Sequence, residues 1–374
     1  MRRLLALSCA IVLVDTIFYA ALYPLVPYFE DELGLSKSVV GVLSGAYGAG
    51  VLVGSAPGGY LASRSGVRVT ALVGLTLMSV TSVMFALADT TWLLVLARFA
   101  GGFGSALSWV AAFTWLVDRA PEERRAELIG VMVSAAVVGA LLGPVLGSVA
   151  ATVGLLPAFA AVALSGIAIA IWAALEPAPA SSGNIGLLPA LRMLRRPVLL
   201  TSLWFIGLSP LLFSALAVLV PLDLHRLGWG VAAVGVVFLL SAIFEAIVHP
   251  LLGRWSDRSG YRPPVVVGLL ASIGILLLLT WVGNPWVIGL LVVLAAGAFN
   301  ATLVPGTALF SRGTEKAGMD RAVAFAITNF AWASGYAVGA PVGGFLADLR
   351  GDALSYLVLT VVCLATIVLV RRTA

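Results

Sequence analysis

The chain is 374 residues long, 61% hydrophobic and only 10% charged, with a mean hydropathy of +1.09. A water-soluble domain of that length and balance would aggregate, so most of this surface is solvated by lipid. The net charge of +5 and pI near 9.5 raise the question of a nucleic-acid partner, which the placement of the basic residues excludes below.

A spanning helix needs about 20 mostly apolar residues. In chain order such stretches cover residues 4–26, 39–61, 69–87, 92–117, 127–153 and 157–175, then 198–222, 231–255, 264–282, 286–310, 322–348 and 353–370. This is the pattern of an all-α integral membrane protein with twelve spans. The start has the basic and apolar regions of a signal peptide, but Asp15 interrupts the apolar run and no small-residue cleavage site precedes Tyr23 and Pro24, so it reads as a retained first span.

With the N-terminus inside, the loops predicted to be cytoplasmic hold eighteen of the 22 Lys and Arg residues, against Lys37, Arg226 and Arg350 outside and Arg98 within a span. That asymmetry follows the positive-inside rule for a multi-pass protein of the inner (plasma) membrane with both termini cytoplasmic. The basic pI then belongs to membrane topology and says nothing for nucleic acid. Cys9 and Cys363 fall inside spans and imply neither a disulfide nor a metal site.

An internal repeat divides the chain. The loop after the second span reads Gly59-Tyr-Leu-Ala-Ser-Arg-Ser-Gly-Val-Arg68, and the loop after the eighth, 194 residues on, reads Gly253-Arg-Trp-Ser-Asp-Arg-Ser-Gly-Tyr-Arg262. The Gly-rich stretch from Gly139 through Gly143 and Pro144 to Gly147 has a counterpart at Gly335 to Gly344. Arg125 and Arg321, just ahead of these stretches, are 196 apart. Two homologous six-span halves are expected, residues 1–175 and 198–374, joined by a cytoplasmic linker over 176–197 whose tail is either an amphipathic helix on the leaflet or a plain tether. Parallel six-helix repeats are a transporter plan, with substrate bound near mid-bilayer between the halves.

On these motifs the whole chain resembles the major facilitator superfamily, specifically its twelve-span drug:proton antiporter branch. The loop motif G-x-L-a-D-R-x-G-R is matched at Gly59, Leu61, Arg64, Gly66 and Arg68 and departs at Ser63, where the family has an acid; the second copy keeps the acid as Asp257, with Arg258 and Gly260. Leu94, Arg98 and Gly102 match the fourth-span motif, and Gly139, Gly143, Pro144 and Gly147 the fifth-span motif associated with exchangers. The first and eleventh spans are similar to those of vesicular amine transporters, but Asn300 and Asn329 stand where those proteins have acids. The resemblance implies a major facilitator fold of two pseudo-symmetric six-helix bundles, alternating access and proton-coupled efflux of a small amphipathic or cationic compound.

The residues themselves carry a parallel reading. The Gly and Pro motifs make either mobile packing seams or static close contacts, and the loop arginines serve either gating or topology. Asp15, Arg98 and Glu245 are the deep charges. Unpaired charge in lipid costs at least about 2.5–3.5 kcal/mol, so each should face a partner or a wet cavity. Helix rise puts Asp15 and Arg98 at nearly one depth, as partners in a proton or cation site or in a structural ion pair. His249 follows Glu245 by one turn, as a proton relay or as a solvated neighbour. Asn329, Trp332 and Tyr336 share a helix face. The resemblance to the amine transporters implies that this face looks toward the cavity, where Asp15, Tyr19, Trp109 and Asn300 are expected to complete an aromatic, weakly polar pocket suited to an organic cation.

The expected partners are a small-molecule substrate, protons and membrane lipid, with no cofactor and no metal, and a monomer is expected. A second transport reading is a sugar, amino-acid or other metabolite exporter or facilitator without proton coupling. An intramembrane enzyme would need a nucleophile/base set or metal cluster at one membrane face, and a receptor a sizeable soluble domain; His225 and His249 with no clustered acids do not supply the first, and no long polar segment supplies the second.

Overall fold

The computed structural model describes residues 1–177, 196–319 and 321–372. The linker and its predicted amphipathic tail lie almost wholly outside the described residues, as does the Arg321 side chain. The helices are α1 (Arg2–Ala20), α2 (Leu22–Leu33), α3 (Lys37–Ser65), α4 (Val67–Ala86), α5 (Thr91–Arg119), α6 (Arg125–Val153) and α7 (Leu155–Leu175), then α8 (Pro197–Arg226), α9 (Val231–Ser259), α10 (Arg262–Trp281), α11 (Pro285–Lys316), α12 (Arg321–Arg350) and α13 (Asp352–Arg372). Among the described residues there is no strand. Among the described residues eleven spans, with α1 and α2 counted as one, are long and apolar enough to cross a membrane. The 30-residue α12 is the twelfth long apolar helix.

Most helices outrun their predicted spans by several residues, because backbone hydrogen bonding continues after the apolar run has ended. The first span is interrupted at Ala21, and the cause is local. Pro24 has no N–H for the carbonyl of Ala20, four residues back, so the regular ladder stops there. At the matched loop glycines the chain turns sharply, with φ of +87° at Gly66 and +80° at Gly260, a region closed to residues with a Cβ. The repeat therefore conserves a backbone conformation, beyond its letters.

The chain forms two compact units, one of Met1–Leu22, Ala46–Ala190 and Asp320–Phe330, the other of Tyr23–Gly45, Leu191–Met319 and Ala331–Ala374. Within the first, α1 packs on α6, and α4 on α5 and α7; within the second, α8, α9 and α10 pack on α11, and α10 on α13. Equivalent glycines make equivalent seams. A Cβ on Gly139 would lie 2.5 Å from the Leu13 carbonyl oxygen, and one on Gly143 2.4 Å from the Ala20 Cβ. In the other unit a Cβ on Gly335 would lie 1.9 Å from the Gly207 carbonyl oxygen, and one on Gly339 2.1 Å from that of Leu211. The exchanger motif is thus a site of backbone-to-backbone contact. Pro144 and Gly147 are buried in the same helix.

Candidate functional site

Asp15, 2% exposed, sits in the C-terminal half of α1 and accepts hydrogen bonds from three side chains on two other helices. Ser105 Oγ donates at 2.9 Å and Trp109 Nε1 at 2.7 Å, both to Oδ2, while Tyr47 Oη lies 3.3 Å from each carboxylate oxygen. Arg98, Ser105 and Trp109 are seven and four residues apart, so one face of α5 presents all three. Gly102 on that helix brings α3 close: a Cβ there would stand 2.0 Å from the carbonyl oxygen of Tyr47. Its missing side chain lets Tyr47 reach Asp15.

The expected pairing of Asp15 with Arg98 takes a different form. Arg98 is 1% exposed and makes no ion pair within 4.0 Å among the described residues. Its guanidinium nitrogens donate at 3.4 Å to the carbonyls of Phe18 and Tyr19, and its Cζ lies 5.6 Å from the centroid of the Phe18 ring and 4.7 Å from that of Tyr47. The cation is held by two aromatic faces and two backbone dipoles. Depth along the helices placed the two charges level, but not facing. Tyr47 links them, and Tyr19 stacks beside it with ring centroids 5.1 Å apart.

Trp109 has a second contact. Its ring lies 6.2 Å from that of Phe325, which in turn stacks on Phe113 at 4.0 Å and 7°. Trp109 and Phe325 are half-buried. The carboxylate is therefore flanked by an indole and a phenyl ladder within one compact unit. Tyr47, Ser105, Phe113 and Phe325 were not singled out from sequence. Ser105 alone had a local signal, its place on the face of Arg98 and Trp109.

The other predicted site residues divide between the two units. Glu245 and His249 lie 3.4 Å apart, half-buried, with no hydrogen bond to the His249 Nε2. Asn300 donates to the Ala296 carbonyl at 2.7 Å and accepts from Ser209 at 3.3 Å. Asn300 is thus bonded within the second unit, to α8 and to its own helix. Trp332 and Tyr336 stack at 5.4 Å and 13°, with Tyr336 fully buried in that unit, and Asn329 is half-buried in the first.

In the loop motifs Gly59 is half-buried, and Arg64 is exposed and donates to the Tyr60 hydroxyl at 2.6 Å. Ser63, in the acid's place, turns back onto the Tyr60 carbonyl at 2.8 Å. Arg68 donates to the Glu176 carbonyl at 2.5 Å, fixing the chain as it leaves α7. In the second copy Arg258 is exposed and Asp257 pairs with Arg312 of α11 at 2.8 Å.

Sequence reading also missed a third set of charges. Lys37, read only as a basic residue on the outer side, is 6% exposed and lies between Asp223 of α8 and Asp352 of α13.

Known proteins bear on this geometry in three ways. The chain is 26% identical over 358 residues to the quinolone resistance protein NorA of Staphylococcus aureus (strain MSSA476), covering 93% of this chain and 90% of that one. It is 30% identical over 132 residues, 35% of this chain and 34% of the other, to the multidrug resistance protein MdtL of Escherichia coli O157:H7 (strain EC4115 / EHEC). The crystal structure of a bacterial homolog to the human lysosomal transporter Spinster, in an inward-facing and unoccupied conformation, matches 99% of this chain and 96% of its own with a TM-score of 0.81 at 18% identity, a likeness of fold. The family profile described as Major Facilitator Superfamily matches residues 8–318 and again 206–373. On that match this chain belongs to the Major Facilitator Superfamily of membrane transporters.

Proposed function

We propose that the chain is a plasma-membrane exporter of amphipathic organic cations that exchanges them for protons, with Asp15 as the exchange carboxylate. The observation that carries this reading is the environment of Asp15: a buried acid held by Tyr47, Ser105 and Trp109, with no basic side chain bound to it among the described residues. An ionisable residue deep in a spanning helix is a functional site by default, because lipid makes it expensive to keep. Three donors satisfy an ionised carboxylate when neither proton nor substrate is bound. A cationic substrate competes with the proton for the same charge, and a carboxylate that holds one cannot hold the other. That exclusion is what exchange requires. Trp109 and Phe325 supply aromatic faces to which an organic cation is attracted.

The drug-resistance names of NorA and MdtL favour the same class of cargo. The basic loops favour cytoplasmic termini, and the protein is proposed to act as a monomer. Cells expressing the chain test the reading through the retention of ethidium and of a quinolone. Several-fold lower retention, abolished by a protonophore, is expected. Retention equal to that of cells without the chain, for both compounds, contradicts it.

A further inference from the structure

The aromatic rings of the first unit fall into two arrangements. Those packed on Phe18 are buried and meet it at steep angles, Tyr47 at 56°, Phe85 at 82° and Phe159 at 90°. Crossed contacts of this kind fill a core. Beside Trp109 the planes line up instead: Phe325 lies 7° from Phe113 and 20° from Trp109.

Both ends of this row are fixed. Phe113 is buried, one turn after Trp109 on the same face of α5, and with ring centroids 4.0 Å apart it covers one face of Phe325. The indole of Trp109 is held at its edge, where Nε1 donates to Asp15 Oδ2 at 2.7 Å. Trp109 and Phe325 themselves are only half-buried, so the open part of the row is aromatic, aligned and next to the carboxylate. All four residues belong to one compact unit.

Aligned rings recognise by shape. A flat polycyclic cation lies parallel to both planes with its charge beside Asp15, whereas a cation whose rings point in four directions meets the same planes through an edge. The two carry equal charge, so the carboxylate does not separate them.

We infer that Phe325, seated on Phe113, sets the shape of the cargo: flat polycyclic aromatic cations are taken in preference to cations of equal charge whose rings are not coplanar. This rests on the exchange proposed for Asp15 and adds to it a residue that chooses among cations.

Binding to the purified full chain tests it, with ethidium as the flat probe and tetraphenylphosphonium as the non-planar one. The preference for ethidium, as a ratio of affinities, is expected to fall at least about fivefold in Phe325→Leu, the scale of one stacked aromatic pair. Phe325→Tyr keeps the ring and is expected to keep the ratio. Phe113→Leu removes the seat and is expected to lower the ratio in the same direction. Equal loss for both probes in Phe325→Leu, or loss for neither, overturns the inference. If Phe325→Leu does not fold, Phe113→Leu decides in its place, an unchanged ratio overturning it. Asp15→Asn separates the two proposals, since it is expected to weaken both probes together. If it weakens neither, the exchange role of Asp15 fails while the Phe325 ratio still decides the shape preference; if the parent chain binds neither probe, both proposals fail.

Discussion

Tyr47 lies between Arg98 and Asp15: the guanidinium stands 4.7 Å above its ring, and the hydroxyl of the same ring is 3.3 Å from each carboxylate oxygen. One side chain therefore does two separable things, seating a cation on its face and donating to an anion at its edge.

Tyr47→Phe removes the donor and keeps the face. A hydrogen bond to a charged group contributes about 1.5 kcal/mol or more, so export is expected to fall roughly tenfold, with unfolding easier by about that same amount. Tyr47→Leu removes both, and unfolding is expected about 3 kcal/mol easier. Equal loss of export in the two variants with equal loss of stability would mean that Tyr47 only fills space.

Trp109→Phe makes the complementary cut. It preserves a ring against Phe325 and deletes the N–H that Asp15 accepts at 2.7 Å. Transport of ethidium is expected to drop about tenfold with normal expression and folding, since a lost charged hydrogen bond of about 1.5 kcal/mol is of that size. Parent-like transport would remove the indole N–H from the site.

Glycine seams give a prediction about packing alone. Gly102→Ala sets a methyl 2.0 Å from the Tyr47 carbonyl oxygen, a backbone atom that cannot swing away, and should destabilise by about 1–3 kcal/mol. Gly130→Ala, with nothing within 4 Å of the new Cβ, should instead stabilise the helix by about 0.5–1 kcal/mol. Thermal unfolding of the two proteins in detergent separates them, and the same sign for both would refute the contact.

The exposed pair of Asp257 with Arg312 is expected to matter little to stability. Asp257→Asn should change unfolding by less than about 1 kcal/mol, as water screens such pairs. A larger loss in the melting curve would show that the second loop motif braces its unit.

What was legible in the sequence was what local rules write there. Length and hydropathy gave the spans, the 194-residue offset gave the repeat, and glycine spacing marked seams that the structure fills with carbonyl contacts. Asp15 and Trp109 could be singled out because charge and indole are conspicuous inside a span. Their partners could not, since Tyr47 and Ser105 stand 32 and 90 residues from Asp15, and only tertiary packing decides which faces meet. Lys37 was hidden for the same reason, with ion partners 186 and 315 residues away. The partner of Asn300 was hidden likewise, since Ser209 stands 91 residues away.

The most direct test of the account is proton movement in proteoliposomes with an imposed pH gradient, on adding ethidium, for the parent chain, Asp15→Asn and Glu245→Gln. The account predicts that ethidium dissipates the gradient in the parent and in Glu245→Gln but not in Asp15→Asn. Ethidium equilibrating without proton movement in all three would contradict it, leaving a facilitator whose buried charges hold helices together.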